Sequence, residues 1–259
     1  MPDNIDETSN TKIAIITGGS RGLGRNTAVA LARAGVDVIF TYNSNRAEAD
    51  NVAAEIERLG RKAAALQLDA GNVASFPAFA EEAKAVLAGW GAERFDFLVN
   101  NAGYQLRGAF GEVTEADFDS LTNIHFKGVL FLSQTLVPLM RDGGRIINVS
   151  SGLARFTGQG SIVYGSLKGA VEVMSRYMAQ ELGPRGIAVN VVAPGAIETD
   201  FGGAVVRNNP QVKAHIASIT ALGRTGVADD IGPMIASLLS DANRWVNGQR
   251  IEVSGGMHL

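Results

Sequence analysis

Apolar positions along the chain fall into two alternating patterns. Short unbroken apolar runs at 12–17, 36–42, 62–68, 95–99 and 145–149 are bounded by glycine or polar residues. They are too brief for helices and read as strands buried on both faces. Between them, 26–34, 47–59 and 72–90 carry apolar residues at helical intervals, and Gly35 is placed to stop the first of these. Strands alternating with helices of ten or more residues predict an α/β fold, a doubly wound and mostly parallel sheet with helices on both faces. No internal repeat, low-complexity tract or linker interrupts the pattern, so residues 11–259 are expected to form a single domain behind a flexible polar tail at 1–10.

Chemistry enters first at the junction of the leading strand and helix. Gly18-Gly19-Ser20-Arg21-Gly22-Leu23-Gly24 follows Thr17 directly and opens the first helical segment. Glycines there let the backbone approach a pyrophosphate, and the helix N-terminus offers unpaired N–H groups with a favourable dipole. Strand, glycine turn and helix together predict a Rossmann-type dinucleotide site. The second strand ends in Thr41-Tyr42-Asn43-Ser44-Asn45-Arg46, with no acid to take a ribose 2′-hydroxyl. Tyr42, Asn43 and Ser44 are therefore expected around a 2′-phosphate, with Arg21 reaching the same region; the plainer alternative is that Arg21 and Arg46 are simply exposed side chains. NADP(H) is favoured and NAD(H) remains open. Asp69 and Ala70 end the third strand, where Asp69 is placed to accept from the adenine amine. Asn100-Asn101-Ala102-Gly103 forms a tight turn where a parallel sheet would put its ligand crevice.

A second constellation lies between 151 and 168. Tyr164 and Lys168 stand one helical turn apart in a segment with helical periodicity, and share a face. A phenol titrates near about 10 in water. An ammonium one turn away is expected to bring that value down and ready Tyr164 as a general acid or base. Ser151 follows the strand at 145–149 and offers a hydroxyl to hold a substrate oxygen. A packed ring beside a solvated charge is the plainer reading of such a pair taken alone.

Composition narrows the function classes. The chain has 259 residues, 46% of them hydrophobic, with a net charge of −3. Its basic residues are scattered, which argues against a nucleic-acid surface. It has no cysteine, hence no disulfide or thiolate metal site, and its three histidines, His125, His215 and His258, are far apart in sequence, so no metal is expected. No apolar run is long enough to span a membrane and the first ten residues are not signal-like, so a cytoplasmic protein is expected.

Taken jointly, Thr17-Gly18-x-x-x-Gly22-x-Gly24, Asp69, Asn100-Asn101-Ala102-Gly103, Ser151, Tyr164-x-x-x-Lys168, Pro194-Gly195 with Thr199, and the region 248–256 resemble the short-chain dehydrogenase/reductase family over nearly all of the chain from residue 11. The resemblance implies hydride transfer between NADP(H) and a small-molecule carbonyl or alcohol. Tyr164 would exchange the proton, Ser151 would bind the oxygen, and Lys168 would hold the nicotinamide ribose. The backbone after Pro194-Gly195, with Ile197 and Thr199 nearby, would meet the nicotinamide amide. Family members are usually tetramers, and the apolar segments 124–140, 163–182 and 251–259 are candidates for those surfaces.

One position departs from the family. Many relatives carry a fourth catalytic residue, an Asn, where this chain has His125; Asn123 lies two residues earlier, on roughly the opposite side of a regular helix at about 100° per residue. The family Asn holds a water that links the lysine to solvent. A neutral imidazole has a donor and an acceptor, so His125 is a candidate to replace it; a merely packed histidine is the alternative. Substrate choice is expected to depend on 104–106, 153–156 and 197–221. Tyr104, Leu153, Phe156, Phe201 and Val205 suggest an apolar pocket, Arg155 and Arg207 are either solvated or aimed at an anionic group, and 201–204 suggests a hinge. The rival readings are a 3-oxoacyl-thioester (acyl carrier protein) reductase and a dinucleotide-binding regulatory protein without turnover. The intact Ser151, Tyr164 and Lys168 set argues against the latter.

Overall fold

In the computed structural model, residues 11–259 are described; the expected tail at 1–10 lies outside the described residues. Seven strands form one parallel sheet in the order β3-β2-β1-β4-β5-β6-β7. They are β1 (Ile13–Ile16), β2 (Asp37–Tyr42), β3 (Ala63–Gln67), β4 (Phe95–Asn100), β5 (Met140–Val149), β6 (Ala188–Pro194) and β7 (Arg250–Val253). The chain runs outward from β1 through β2 to β3, then returns to β4 on the other side of β1. That reversal leaves a crevice at the C-terminal ends of β1 and β4.

The helices are α1 (Gly22–Arg33), α2 (Arg46–Arg58), α3 (Phe76–Gly89), α4 (Glu115–Thr122), α5 (Gly128–Leu136), α6 (Ile162–Leu182), α7 (Val205–Asn208), α8 (Pro210–Ser218) and α9 (Gly232–Leu238). Successive strand residues feed opposite faces of the sheet, as the two-residue period requires. Ala14, Ile16, Val38 and Phe40 join residues of α1, α2 and α9 in one core layer. Ile13, Ile15, Ile39 and Leu98 join α3, α5 and the end of α6 in the other. Strands β1, β2, β4 and β6 are buried at every position; the first three read as continuous apolar runs, whereas Asn190 interrupts β6.

Four elements differ from the sequence expectation. The segment 72–90 is a 3-10 turn at Val73–Ser75 followed by α3, because Pro77 near its start cannot donate to the preceding turn. β6 and β7 are not among the strands that the apolar pattern predicts. The second of these is half-buried and carries Arg250 and Glu252, so it lacks an apolar signature. The helix after the Asn101 turn is interrupted by a π-helical turn at Asn123–Lys127. Gly128 there is a packing requirement, since a Cβ would stand 2.1 Å from the Ala70 carbonyl oxygen. Among the described residues no helix is long and apolar enough to cross a membrane.

Candidate active site

The crevice opens into a cavity of about 660 Å³ that runs from the glycine turn after β1 to the side chains beyond Tyr164. At its cofactor end the turn is tied to the sheet: Gly18 N–H donates to Thr41 Oγ1 (3.0 Å) and Gly19 N–H to the Thr41 carbonyl (2.8 Å). Asn101 Nδ2 donates to the carbonyls of Thr17 (2.9 Å) and Gly18 (3.1 Å), while Thr17 Oγ1 accepts from Asn101 N (2.9 Å) and Ala102 N (3.0 Å). A Cβ on Gly24 would stand 2.1 Å from Gly18 O, so glycine lets α1 begin in contact with its own turn. Gly22 has φ +55°, and a Cβ there would reach to 3.8 Å from Thr199 Cβ across the crevice. The left-handed backbone at Gly22 favours glycine, and the turn faces Thr199 across a gap lined by backbone at a helix N-terminus, a cradle that fits a pyrophosphate.

Most of the expected cofactor residues reach this cavity: Gly18, Ser20, Arg21, Gly22, Leu23, Tyr42, Asn43, Asp69, Ala70, Asn101, Ala102, Gly103, Pro194, Gly195, Ile197 and Thr199 all line it. Thr17, Gly24 and Ser44 do not. Thr17 and Gly24 are buried and build the wall from behind, and Ser44 lies exposed beyond the end of β2. Arg21 is exposed at the cavity and makes no ion pair among the described residues, whereas Arg46 is engaged with Asp50 (2.8 Å) and lies over the Tyr42 ring. Arg21, the arginine the sequence offers for a 2′-phosphate, thus stands without an ion-pair partner among the described residues. Asp69 accepts from Gly71 N–H through Oδ1 (2.9 Å) and keeps its other oxygen available.

At the far end, Tyr164 and Lys168 are 6% and 5% exposed on the inner face of α6. Gly165 lets this helix close on the loop after β5, since a Cβ there would stand 2.8 Å from Leu153 O. Ser151 caps the short 3-10 turn Gly152–Ala154, accepting from Leu153 N–H (3.2 Å). Lys168 Nζ donates to the Val149 carbonyl (2.7 Å) and stands 5.6 Å from the Tyr164 ring centroid. Burial pushes the Tyr164 phenol up to about 12, opposed by its hydrogen bond with Ser151. Burial also brings Lys168 down to about 8. The expectation that the ammonium would lower the phenol fails in this state. Taking both groups out of water penalises each charged form, and that outweighs their proximity.

His125 lies in the π-helical turn, where Gly128 N–H donates to the Asn123 carbonyl five residues back. The extra residue turns His125 and Ile124 to the cavity; Asn123 is not on its wall. The imidazole is 1% exposed. Its Nε2 lies 2.6 Å from the Tyr104 carbonyl, which only accepts, so the proton sits on Nε2. Nδ1 is buried without a hydrogen-bond partner among the described residues. The ring meets Tyr164 edge-on at 5.1 Å, and a Cβ on Gly103 would stand 2.4 Å from its Cε1. Burial first, and then the charge of Lys168, lower His125 to about 3, against the hydrogen bond to Tyr104. The ring is therefore neutral at physiological pH. It hands its one proton to a carbonyl, which cannot pass it on.

The substrate end is lined by Tyr104, Leu153, Phe156, Phe201 and Val205 as expected. It also includes Gln105, within the expected segment 104–106, and Arg107 and Met257, which the sequence does not reveal. Arg107 and Gln105 follow a turn whose direction no local signal sets, and Met257 arrives from the far end of the chain. Both arginines considered for an anionic substrate are otherwise engaged: Arg207 pairs with Asp200 (2.7 Å) and Arg155 with Glu252 (2.7 Å). Gly202, Gly203 and Ala204 adopt consecutive left-handed conformations (φ 64°, 77° and 59°), which reverse the chain into α7 and α8 over the cavity mouth.

The buried lysine has a thermodynamic consequence. Lys168 titrates near 8 in the folded protein against an ordinary 10.5, so between these values the unfolded chain binds more protons and stability rises with pH. Tyr164, raised from 10 to about 12, acts oppositely but only above pH 10. In urea unfolding of the cofactor-free protein, Lys168→Met is expected to be the more stable form at pH 8. Its advantage should shrink by about 1.5 kcal/mol at pH 9.5. A constant gap would show that the lysine is not desolvated.

Residues 18–258 match the family model described as enoyl-(acyl carrier protein) reductase. The chain is 36% identical over 256 residues to the tetrahydroxynaphthalene reductase PfmaG of Pestalotiopsis fici, covering 95% of this chain and 91% of that protein. It superposes with a TM-score of 0.90 on the promiscuous reductase LugOII, which catalyzes keto-reduction at C1 during lugdunomycin biosynthesis, at 39% identity over 96% of this chain and 98% of that one. The angucycline C-6 ketoreductase LanV with bound NADP superposes equally well, TM-score 0.90, at 37% identity and 95% coverage of each chain. With the family model spanning almost the whole chain and the crevice carrying the expected constellation, this protein belongs to the short-chain dehydrogenase/reductase family of oxidoreductases.

Proposed function

We propose that the protein reduces a ketone with NADPH, with Tyr164 as proton donor. The observation that carries this reading is the continuity of one cavity from a phosphate-sized glycine cradle, flanked by the unpaired Arg21, to a buried phenol that keeps its proton at neutral pH. The bound cofactor supplies the hydride. The turn from Gly18 to Leu23 and the N-terminus of α1 hold the pyrophosphate, Arg21 and Asn43 the 2′-phosphate, and Asp69 the adenine amine. Asn101 to Gly103 floor the crevice, and the backbone from Pro194 to Ile197, with Thr199, orients the nicotinamide amide. Lys168 holds the nicotinamide ribose.

Ser151 donates a hydrogen bond to the substrate carbonyl oxygen. Tyr164 gives its proton to that oxygen as negative charge develops there, since an alkoxide is far more basic than a phenolate. Lys168, close to its own titration midpoint near pH 8, stabilises the phenolate and can resupply the proton. The pocket beyond, built from Tyr104, Leu153, Phe156, Phe201, Val205 and Met257, suits a ketone on an apolar, ring-sized skeleton. The ketoreductase and hydroxynaphthalene reductase relatives support that substrate class.

His125 takes the position at which the family carries Asn. Its fixed tautomer and its bond to Tyr104 favour a bracing role, holding the Tyr104 segment and the edge of Tyr164, over the proton-carrying role that the sequence suggested. A homotetramer fits the same reading, supported by exposed apolar side chains on α5 and α6: Phe131, Val173 and Tyr177.

NADPH and NADH oxidation against aldehydes, cyclic and aromatic ketones, diketones and 3-oxoacyl thioesters tests the function. NADPH should be preferred, and Arg21→Ala should raise its KM by roughly 10- to 100-fold, the worth of a charge-assisted phosphate contact. The KM for NADH should stay unchanged. Tight NADPH binding with no turnover anywhere would favour a sensor, and preference for the thioesters a fatty-acyl role. For His125→Ala the expected outcome is a kcat lowered by roughly tenfold or more at every pH between 6 and 9 with an unmoved pH profile. A profile whose midpoint moves would restore the relay, and full turnover would reduce His125 to a packed residue.

A further inference from the structure

The residues after β7 stay bonded to the body of the protein as far as His258, and only Leu259 stands fully in solvent. Gly255 and Gly256 adopt φ of +66° and +78° and fold the chain back over the substrate end of the crevice. There it pairs with the segment that follows α8. Ala221 N–H donates to Gly256 O (3.1 Å), Leu222 N–H to Gly255 O (3.0 Å) and His258 N–H to Ile219 O (3.0 Å). The contact is close enough that a Cβ on Gly256 would stand 2.8 Å from Ala221 Cβ. Met257, 8% exposed, is thereby turned inward to line the cavity.

One guanidinium holds this arrangement against the catalytic loop. Arg155 donates to both carboxylate oxygens of Glu252 (2.8 and 2.7 Å), to the Met257 carbonyl (2.8 Å) and to the His258 carbonyl (2.9 Å). Its charge lies 5.4 Å from the centroid of the Phe156 ring, and the His258 ring packs on Phe156 at 4.7 Å. Phe156 in turn leans on Gly152, where a Cβ would meet its ring at 2.6 Å, next to Ser151. His258 has φ +54°, an unfavourable backbone for a residue with a side chain, retained because both its N–H and its carbonyl are bonded. Glu252 spends its charge on Arg155 and Arg250, so no anionic or cationic group of this cluster faces the cavity unpaired.

Resting on the reductase reading above, we propose that residues 254–259 form a fixed strap whose Met257 is one wall of the carbonyl-substrate pocket, and that Arg155 is the positioning residue that sets where Met257 and Phe156 stand. Substrate selection thus depends on a side chain contributed by the C-terminal strap. The arginine that looked like a candidate anion receptor serves the pocket's shape.

The test uses 9,10-phenanthrenequinone, a flat apolar diketone, as probe. Its binding to the full-length protein with NADP+ is measured by calorimetry, and its reduction by NADPH in parallel. Met257→Ala and Arg155→Gln should each weaken quinone binding and raise its KM by about tenfold, as lost apolar wall contacts do in such pockets. The KM for NADPH should stay within about twofold, and Met257→Leu and Arg155→Lys should recover part of the loss. Folding of each variant is checked by thermal unfolding; Met257→Ala, which leaves every hydrogen bond of the strap in place, keeps the test decisive if Arg155→Gln is unstable. Wild-type quinone affinity in folded Met257→Ala, or no saturable quinone binding by the wild-type protein, would overturn the proposal. Quinone binding that weakens in both variants, without turnover in any form, would uphold the strap while removing the reductase reading on which its role as a substrate wall was argued.

Discussion

Removal of water from around Tyr164 and Lys168 is the constraint on which the site depends. It comes from the close approach of α6 to the loop after β5, possible because Gly165 has no side chain to strike Leu153. It leaves the ammonium with one strong partner, the Val149 carbonyl at the end of a central strand. In that dry setting a phenol remains protonated far above neutral pH while a lysine approaches its midpoint. Lys168 is thereby brought into the range where it can exchange a proton, while the Tyr164 phenol holds its proton more tightly than in water and gives it up only to a stronger base such as a developing alkoxide. The same dryness fixes His125 as a neutral ring with one tautomer.

The parallel sheet explains why so many loops meet at one place. β1, β4, β5 and β6 all end on the same edge, delivering the glycine turn, the Asn101 turn, Ser151 and Gly195 to one crevice. Polar cross-ties then hold the edges together. Asn101 clamps the glycine turn, Asn100 Nδ2 donates to Asn148 Oδ1 (2.8 Å) and Ser133 Oγ (3.0 Å), and Asn148 passes on to Ser175 Oγ (2.8 Å) on α6. Buried amides that are bonded in this way specify the mutual placement of β4, β5 and α6 more sharply than apolar contacts do.

What could be read in the sequence follows the range of the forces involved. Strands buried on both faces announce themselves as apolar runs, so β1, β2 and β4 were legible, as were the glycine turn and the Tyr164–Lys168 face. Half-buried β7, alternating Arg250 and Glu252 with apolar residues, was not. The roles of Thr17 and Gly24 as wall builders depend on contacts with residues some eighty positions away or with their own turn, which no local pattern shows. His125 was identifiable as the departure from the family pattern. Its direction was not, because it rests on a π-helical turn that ends at Gly128, which packs on Ala70. The Tyr164 shift runs opposite to what the spacing suggests for a related reason: spacing reveals a neighbouring charge and says nothing about lost water. Met257 comes from the end of the sequence and lines the site only through folding.

The most direct test of the account is the fate of the hydride in Tyr164→Phe. Cofactor deuterated at the nicotinamide C4 is supplied with a ketone that the wild-type protein turns over, and label in the alcohol product is followed by mass spectrometry. NADPH binding is titrated in parallel. Deuterated alcohol from the wild-type protein is expected, together with at least a thousandfold slower label transfer by a variant that binds NADPH as tightly, a loss at the upper end of what one general acid contributes. Label transfer at the wild-type rate without the phenol would contradict the assignment of Tyr164 as the proton donor, and with it the central claim.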